Sequence, residues 1–388
     1  MLAVMVAGCG GGGGDGVAPP PPPDTDGGTR GNGLVASSSV AGHCAAPRAA
    51  SVLDENGQRY PDVAGTLADE KNWVRSWIDE TYLWYPDVRA LSSVTLNAVN
   101  YADPVSYFDA LKSPLFTTSG KPKDQFHFVY DTPTWVALSQ TGASYGFGFE
   151  VALVSSRPPR QAVIAYTNPG TPAAAQGIAR GAQVLTVDGV DLVNDNTSAG
   201  IDTLNAGLFP STAGAHTFRV LDIGATVPRT VTMTAAVLAP STVQNVKTLP
   251  APNQTVGYMQ FNDHLATSEA QLVAAIDQLK ASAVTDLVLD LRYNGGGYLD
   301  VASELAYMIA GPTRTTAKVF EQLNFNDKNP FGLTATQRAT PFHATTQGFS
   351  LATGQPLPTL NLSRVFVLAG AGTCSASEAI VNGLRGIG

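Results

Sequence analysis

The last third of this chain is predicted to fold as an α/β core, because strand-to-helix units recur along it. Val284–Arg292 reads as a largely buried strand, followed by Tyr293-Asn-Gly-Gly-Gly297 and by Val301, Leu305, Met308 and Ile309 at helical spacing. Gly311-Pro312 stops that helix. A second apolar run, Val365-Phe-Val-Leu-Ala369, enters the small-residue segment Gly372–Ala379 and then a helix with Ile380, Val381 and Leu384 on its buried side. Upstream, the strand Thr255–Phe261 leads into a helix whose Leu272, Ile276 and Leu279 face inward, and Ser268-x-x-Gln271 has the spacing of a capping box.

Ser375 stands at the corner of the second unit. A strand running into a helix through small residues turns a serine hydroxyl outward and aims unpaired backbone N–H groups at the same spot. Such a corner can hold both a nucleophile and an oxyanion donor. It also reads as an ordinary Ser/Thr helix cap, with Ser377 and Glu378 in the acidic first turn. The three glycines Gly295–Gly297 cost conformational entropy, which is explained if the backbone there comes close to something with its N–H groups exposed. Neither GxGxxG nor GxxxxGK[ST] can be written over them, so phosphate binding fits poorly. An oxyanion hole built from the Gly296 and Ala376 N–H groups fits better, with a tight turn as the alternative.

In their order, Val256-Gly-Tyr-Met-Gln-Phe261, Asp290-Leu-Arg-Tyr-Asn-Gly-Gly-Gly297 and Thr373-Cys-Ser-Ala-Ser-Glu378 resemble the carboxyl-terminal processing (tail-specific) serine proteases, peptidase family S41. The likeness runs from about Asn72 onward. It implies a crotonase-like or ClpP-like α/β protease core and an endopeptidase that cuts proteins near their C-termini with a Ser–Lys dyad. Carried over residue by residue, Ser375 is the nucleophile, Gly296 and Ala376 are the oxyanion donors and Ser377 is structural.

The dyad's lysine is expected roughly two dozen residues after the serine, held neutral by desolvation so that it can take the hydroxyl proton. Gly388 comes first, and no lysine follows Ser375. The expectation is therefore a C-terminally truncated, inactive chain with its base beyond residue 388. His127, in Asp124-Gln-Phe-His, and His264, in Phe261-Asn-Asp-His, are weighed as substitute bases against ordinary buried histidines. Cys374 is a poor substitute nucleophile, since it neighbours an outward-facing serine and has no base nearby. An α/β-hydrolase triad is excluded, because GxSxG is absent and no histidine follows Ser375.

A second module runs from about Val129 to Val237. In Asn168-Pro-Gly-Thr-Pro-Ala-Ala-Ala-Gln-Gly-Ile-Ala-Arg-Gly-Ala-Gln-Val-Leu-Thr-Val-Asp-Gly189, a short helix stops at Gly177 and a turn at Arg180-Gly181 follows. The alternating strand Gln183–Val187 then ends in Asp188-Gly189. This resembles a PDZ domain, inserted between an N-terminal region and the protease core. The resemblance places the carboxylate-binding loop at Gly146, Phe147, Gly148 and Phe149, where a peptide would add as an extra strand; a β-bulge is the alternative for Gly-Phe-Gly alone. A carboxylate-binding groove tethered to a peptidase selects unstructured protein C-terminal tails as partners and raises their effective concentration at Ser375.

Met1–Cys9 is wholly apolar, too short to span a bilayer, and ends in Val-Ala-Gly-Cys, which resembles a bacterial lipobox with Cys9 as the acylated residue. The expected organisation is residues 1–9 as a lipoprotein signal, 10–51 as a disordered Gly/Pro-rich linker, 52–128 as a small helical domain, 129–240 as the PDZ domain and 250–388 as an incomplete protease core. The expected location is the periplasmic face of the outer membrane, reached through the lipid anchor alone. Cys44 and Cys374 then remain, to pair with each other, to pair with later cysteines or to stay inert. In the helical region Val74, Trp77, Ile78, Tyr82 and Tyr85 mark one buried face before Pro86 ends the helix, and this domain is a candidate homodimer contact.

A net charge of −8 over 388 residues argues against nucleic-acid binding, and five scattered histidines include no HExxH, so neither metal nor other cofactor is implied. The rival reading from another class is a non-catalytic, PDZ-type peptide-binding lipoprotein on a protease-like core.

Overall fold

The structure is a computed structural model that describes residues 33–54, 57–92, 94–253 and 255–388; Cys9, the segment 1–9 and most of the linker lie outside the described residues. The described chain divides into two units, one of residues 137–318 with 342–388 and the other of residues 33–136 with Val319–Pro341.

In the first unit, Val243–Thr248, Val256–Phe261, Asp286–Asp290 and Val365–Leu368 lie side by side in that order as a four-stranded sheet. The first pair is antiparallel and the others are parallel. Parallel strands need long crossovers, and the apolar stripes of the intervening helices supply them with a covered face. Helix Ser268–Ala281 buries Leu272 and Ile276, helix Leu299–Ala310 buries Val301, Leu305 and Met308, and the strands bury Met259, Leu287 and Leu289. Gly311, at φ 75°, closes the second helix, as the Gly-Pro stop predicts. The capping box expected at Ser268 does not form. Ser268 is the first helical residue rather than the cap, and Gln271 Oε1 instead accepts the Val243 N–H at 3.1 Å on the edge strand.

The same unit holds a second sheet, with strands Phe149–Ser155, Gln161–Thr167, Gln183–Val187, Ala215–Leu221 and Arg229–Thr234 in spatial order and Val190–Asp191 paired onto the third. Asp188 and Gly189 both take positive φ, 49° and 83°, which the tight turn between Gln183–Val187 and Val190–Asp191 requires. Helix Ser198–Leu208 closes a core of Phe147, Ile164, Val184, Leu204 and Phe218. The two sheets and their helices are the α/β core and inserted PDZ module predicted from the sequence.

The second unit is built on helix Leu67–Thr81, begun by a reciprocal Thr66/Asp69 capping box. Its Val74 and Ile78 pack with Val88, Tyr107 and Leu111. The helix stops at Thr81, before the proline expected to stop it. Tyr82 is already extended, and Pro86 instead sits in the first turn of the short helix Tyr85–Arg89, where a missing N–H costs nothing. Val319–Pro341, which reads as part of the core in sequence, packs in this unit: Lys328 Nζ meets Asp79 Oδ2 at 2.7 Å, and Asn326 Nδ2 donates to the Tyr82 carbonyl at 3.1 Å. Cys44 carries a free thiol, so a Cys44–Cys374 bridge is not formed.

Candidate active site

The parallel pairing of Asp290 with Leu368 ends both strands at one edge of the sheet, and the loops that follow meet there. The Leu291 N–H donates to the Leu368 carbonyl at 2.8 Å, and the Thr373 hydroxyl donates to the Leu291 carbonyl at 2.7 Å. The buried Ser377 hydroxyl donates to the Asn294 carbonyl at 3.1 Å, which spends that serine on joining the loops. Cys374 is buried, with its sulfur 3.4 Å from the Gly295 carbonyl oxygen.

Ser375 is different. It is half-buried, with φ 53° and ψ −124° directly before helix Ala376–Gly386. An ordinary capping serine sits in the extended region, whereas this conformation costs a non-glycine residue about 1–3 kcal/mol. Strain of that kind is kept where a side chain must be held in one particular direction. The Ser375 N–H donates to Glu378 Oε2 at 3.1 Å, which holds the corner from inside the helix. The buried N–H of Ala376 opens the helix, and no acceptor takes it among the described residues.

The glycine loop packs directly on this corner. A Cβ built on Gly296, whose φ is 114°, would lie 2.6 Å from the Ser375 Cβ and 3.1 Å from the Ala376 nitrogen. Gly297, at φ 129°, is pressed against His264, whose carbonyl oxygen would meet a Cβ there at 2.4 Å. Ser375, Gly296 and Ala376, singled out from the sequence, are thus brought together. The Gly296 N–H, expected from the sequence as an oxyanion donor, donates here to Asn294 Oδ1 at 3.0 Å. The Gly296 carbonyl accepts the His264 N–H at 3.1 Å, so in the same trans peptide the Gly297 N–H points away from His264, and no acceptor takes it among the described residues. The free donor of the loop is Gly297.

Asp290 fixes the base of the loop. Burial pushes its carboxyl up, but two Arg292 bonds, 2.8 Å from Nε and 2.5 Å from Nη2, and the Tyr258 hydroxyl at 2.6 Å hold it below the usual range.

The sequence profile described as peptidase family S41 matches residues 255–388, that of the peptidase S41 N-terminal domain matches residues 69–126, and that of the PDZ domain matches residues 136–202. By these matches, residues 255–388 are similar to peptidase family S41. A carboxyl-terminal-processing protease of Synechocystis sp. (strain ATCC 27184 / PCC 6803 / Kazusa) is 25% identical to this chain over 248 residues, covering 64% of it and 51% of the relative. One from Picosynechococcus sp. (strain ATCC 27264 / PCC 7002 / PR-6) is 30% identical over 138 residues, covering 36% of this chain and 32% of the relative. The chain therefore spans about half the length of the first relative and about a third of the second. A crystal structure of a candidate S41 protease from Bacteroides fragilis NCTC 9343 shares the fold, with a TM-score of 0.57 at 22% identity over 85% of this chain and 77% of the other.

The PDZ module presents its own site. Ser144–Gly146 pairs with Ala236–Leu238, whereas Phe149–Ser155 pairs with Gln161–Thr167, so Gly-Phe-Gly is a switch between two sheets and not a bulge in one strand. The carbonyls of Phe147 and Gly148 accept the Ala173 and Asn168 N–H groups at 2.9 and 2.7 Å, while no acceptor takes the N–H of Phe147 or Gly148 among the described residues. Thr171 would meet a Cβ on Gly148 at 2.3 Å, which requires glycine there. Strand Phe149–Ser155 lies at the edge of its sheet, open to a further strand.

Two contacts that escape sequence reasoning join this module to the glycine loop. Arg180 Nη1 donates to the Tyr293 hydroxyl at 2.6 Å, and the Tyr166 and Tyr293 rings lie 5.6 Å apart. The only signal for them in sequence is that Tyr293 precedes Asn-Gly-Gly-Gly. His127 is occupied otherwise: its ring stacks on Phe108 at 3.8 Å, and Nε2 lies 2.7 Å from the Phe108 carbonyl. Burial lowers its pKa.

Proposed function

We propose that this protein is a serine-type endopeptidase that cleaves proteins near their C-termini, with Ser375 as the nucleophile. The observation that carries the reading is the strained backbone of Ser375 at a helix N-terminus, against a glycine whose Cβ position is filled by the serine itself. In this reading Ser375 Oγ attacks the scissile carbonyl and gives its proton to a lysine held neutral by burial, the Ser–Lys dyad. The developing oxyanion accepts from the Ala376 and Gly297 N–H groups, which need no reorganisation because they have no other acceptor among the described residues. The amine leaves with the proton, and water then hydrolyses the ester on Ser375. Gly146–Phe149 receives the substrate's terminal carboxylate, and the open edge at Phe149–Ser155 takes the preceding residues as a strand.

The test is cleavage of an unstructured reporter with an apolar free C-terminus by the full-length protein, beside the Ser375→Ala variant and an amidated reporter. Cleavage confined to the unmodified enzyme, and weaker on the amidated tail, supports the assignment. Cleavage that persists in Ser375→Ala removes it, and tight tail binding with no cleavage by the unmodified protein leaves the non-catalytic binder.

A further inference from the structure

His264 and Asn294 take no part in the chemistry just described, yet both are wholly buried beneath the glycine loop. Asn294 has its amide orientation fixed by its neighbours. Its Oδ1 faces the Gly296 N–H, which can only donate, and its Nδ2 faces the Phe261 carbonyl at 3.1 Å, which can only accept. His264 Nδ1 lies 2.9 Å from that same Oδ1, so Nδ1 must carry the hydrogen. The backbone of His264 grips the loop as well: its N–H donates to the Gly296 carbonyl at 3.1 Å, and its carbonyl accepts the Tyr298 N–H at 2.9 Å.

We propose that His264 and Asn294 are positioning residues for the oxyanion loop: the imidazole Nδ1–H orients Asn294 Oδ1, which draws the Gly296 N–H inward and leaves the Gly297 N–H facing the reaction. Without that acceptor, the Gly295–Gly296 peptide, which carries the Gly296 N–H, would lose the bond that fixes it, and Gly296 would be held only through its carbonyl, by His264. A purely structural histidine is a poor choice at this position. His264 Nε2 is buried with no partner among the described residues, a cost of about 1–3 kcal/mol that an apolar ring of similar size would avoid. Burial also lowers the imidazole pKa to about 4, so the ring is neutral, as the single Nδ1–H requires.

This inference rests on the proposed peptidase reading, and the experiment separates the two. In the full-length protein, His264→Phe keeps the ring packed beside Phe261 but removes the donor, whereas His264→Gln keeps a side-chain N–H for Asn294. We expect kcat to fall about 30-fold in His264→Phe with KM within about two-fold, and to fall less than about five-fold in His264→Gln, even though the apolar variant melts at the same or a higher temperature. A packing role predicts the opposite order. Should His264→Phe fail to fold, Asn294→Ser, which withdraws the acceptor from both donors, is expected to show the same loss in kcat. Normal kcat in His264→Phe or Asn294→Ser, or losses that follow melting temperature, overturns the positioning role. Ser375→Ala is the reference throughout: turnover that survives there defeats the peptidase reading, whereas an inactive Ser375→Ala beside a fully active His264→Phe defeats this inference alone.

Discussion

Gly296 approaches Ser375 so closely that a Cβ added to it would stand 2.6 Å from the serine's own Cβ. The contact is between backbone segments that are pinned on both sides, Gly296 by Asn294 and His264 and Ser375 by Glu378. Neither has a flexible side-chain end that can swing aside.

Gly296→Ala is therefore expected to push the loop away from the serine corner. The positive φ of 114° adds backbone strain to the collision. Peptidase activity should drop by at least about 100-fold, the loss typical of one missing oxyanion donor, while C-terminal peptide binding by the PDZ module stays within about two-fold. Steady-state kinetics and fluorescence anisotropy on the same preparation check both halves. Retained activity would mean that the loop tolerates displacement and that its contact with Ser375 is incidental.

The strain at Ser375 makes a second, separable prediction. Ser375→Ala and Ser375→Gly both lack the hydroxyl and should both be inactive, but only glycine occupies φ 53° without penalty. Ser375→Gly should be the more stable of the two by about 1 kcal/mol, or about 2 °C in melting temperature, after glycine's extra unfolded-state entropy is subtracted. Equal melting temperatures would show that the corner is not strained.

What was legible in the sequence follows from which forces are local. The strands Asp286–Asp290 and Val365–Leu368 and the helices after them are written in apolar runs ended by glycine or proline, and these signals act within a few residues. Ser375, Ala376 and the glycine run were legible for the same reason. Which glycine N–H stays free was not, because the competing acceptor, Asn294 Oδ1, reaches it only once the loop has folded. Gln271 was misread as a cap residue because its partner, Val243, lies 28 residues away on an edge strand. Likewise, nothing local in the sequence pairs Lys328 with Asp79 or Asn326 with the Tyr82 carbonyl, partners 249 and 244 residues away.

Glu269 and Glu304 are a further case, since acidic residues on two helices ordinarily read as solvated, yet both are wholly buried. Glu269 accepts four backbone N–H groups, from Gln347 and Gly348 on one oxygen and from Ser350 and Leu351 on the other. Burial pushes its carboxyl up, but those bonds outweigh burial and hold it below its ordinary value. Among the described residues Glu304 accepts only one backbone N–H, that of Gln347, and burial followed by the Glu269 charge pushes it up to about 9, so it carries a proton and hydrogen-bonds to Glu269. An acid whose pKa rises on folding binds more protons in the native state than in the unfolded state across the interval between the two values. The stability it contributes is therefore full below about 4.5 and is lost as pH rises toward about 9. Glu304→Gln cannot ionise, and its amide can still donate to Glu269. Its melting temperature should match that of the unmodified protein near pH 5 and exceed it by several degrees at pH 9, with the gap opening steadily between. Thermal unfolding across that range checks this; a gap of constant size would mean that Glu304 does not hold the proton.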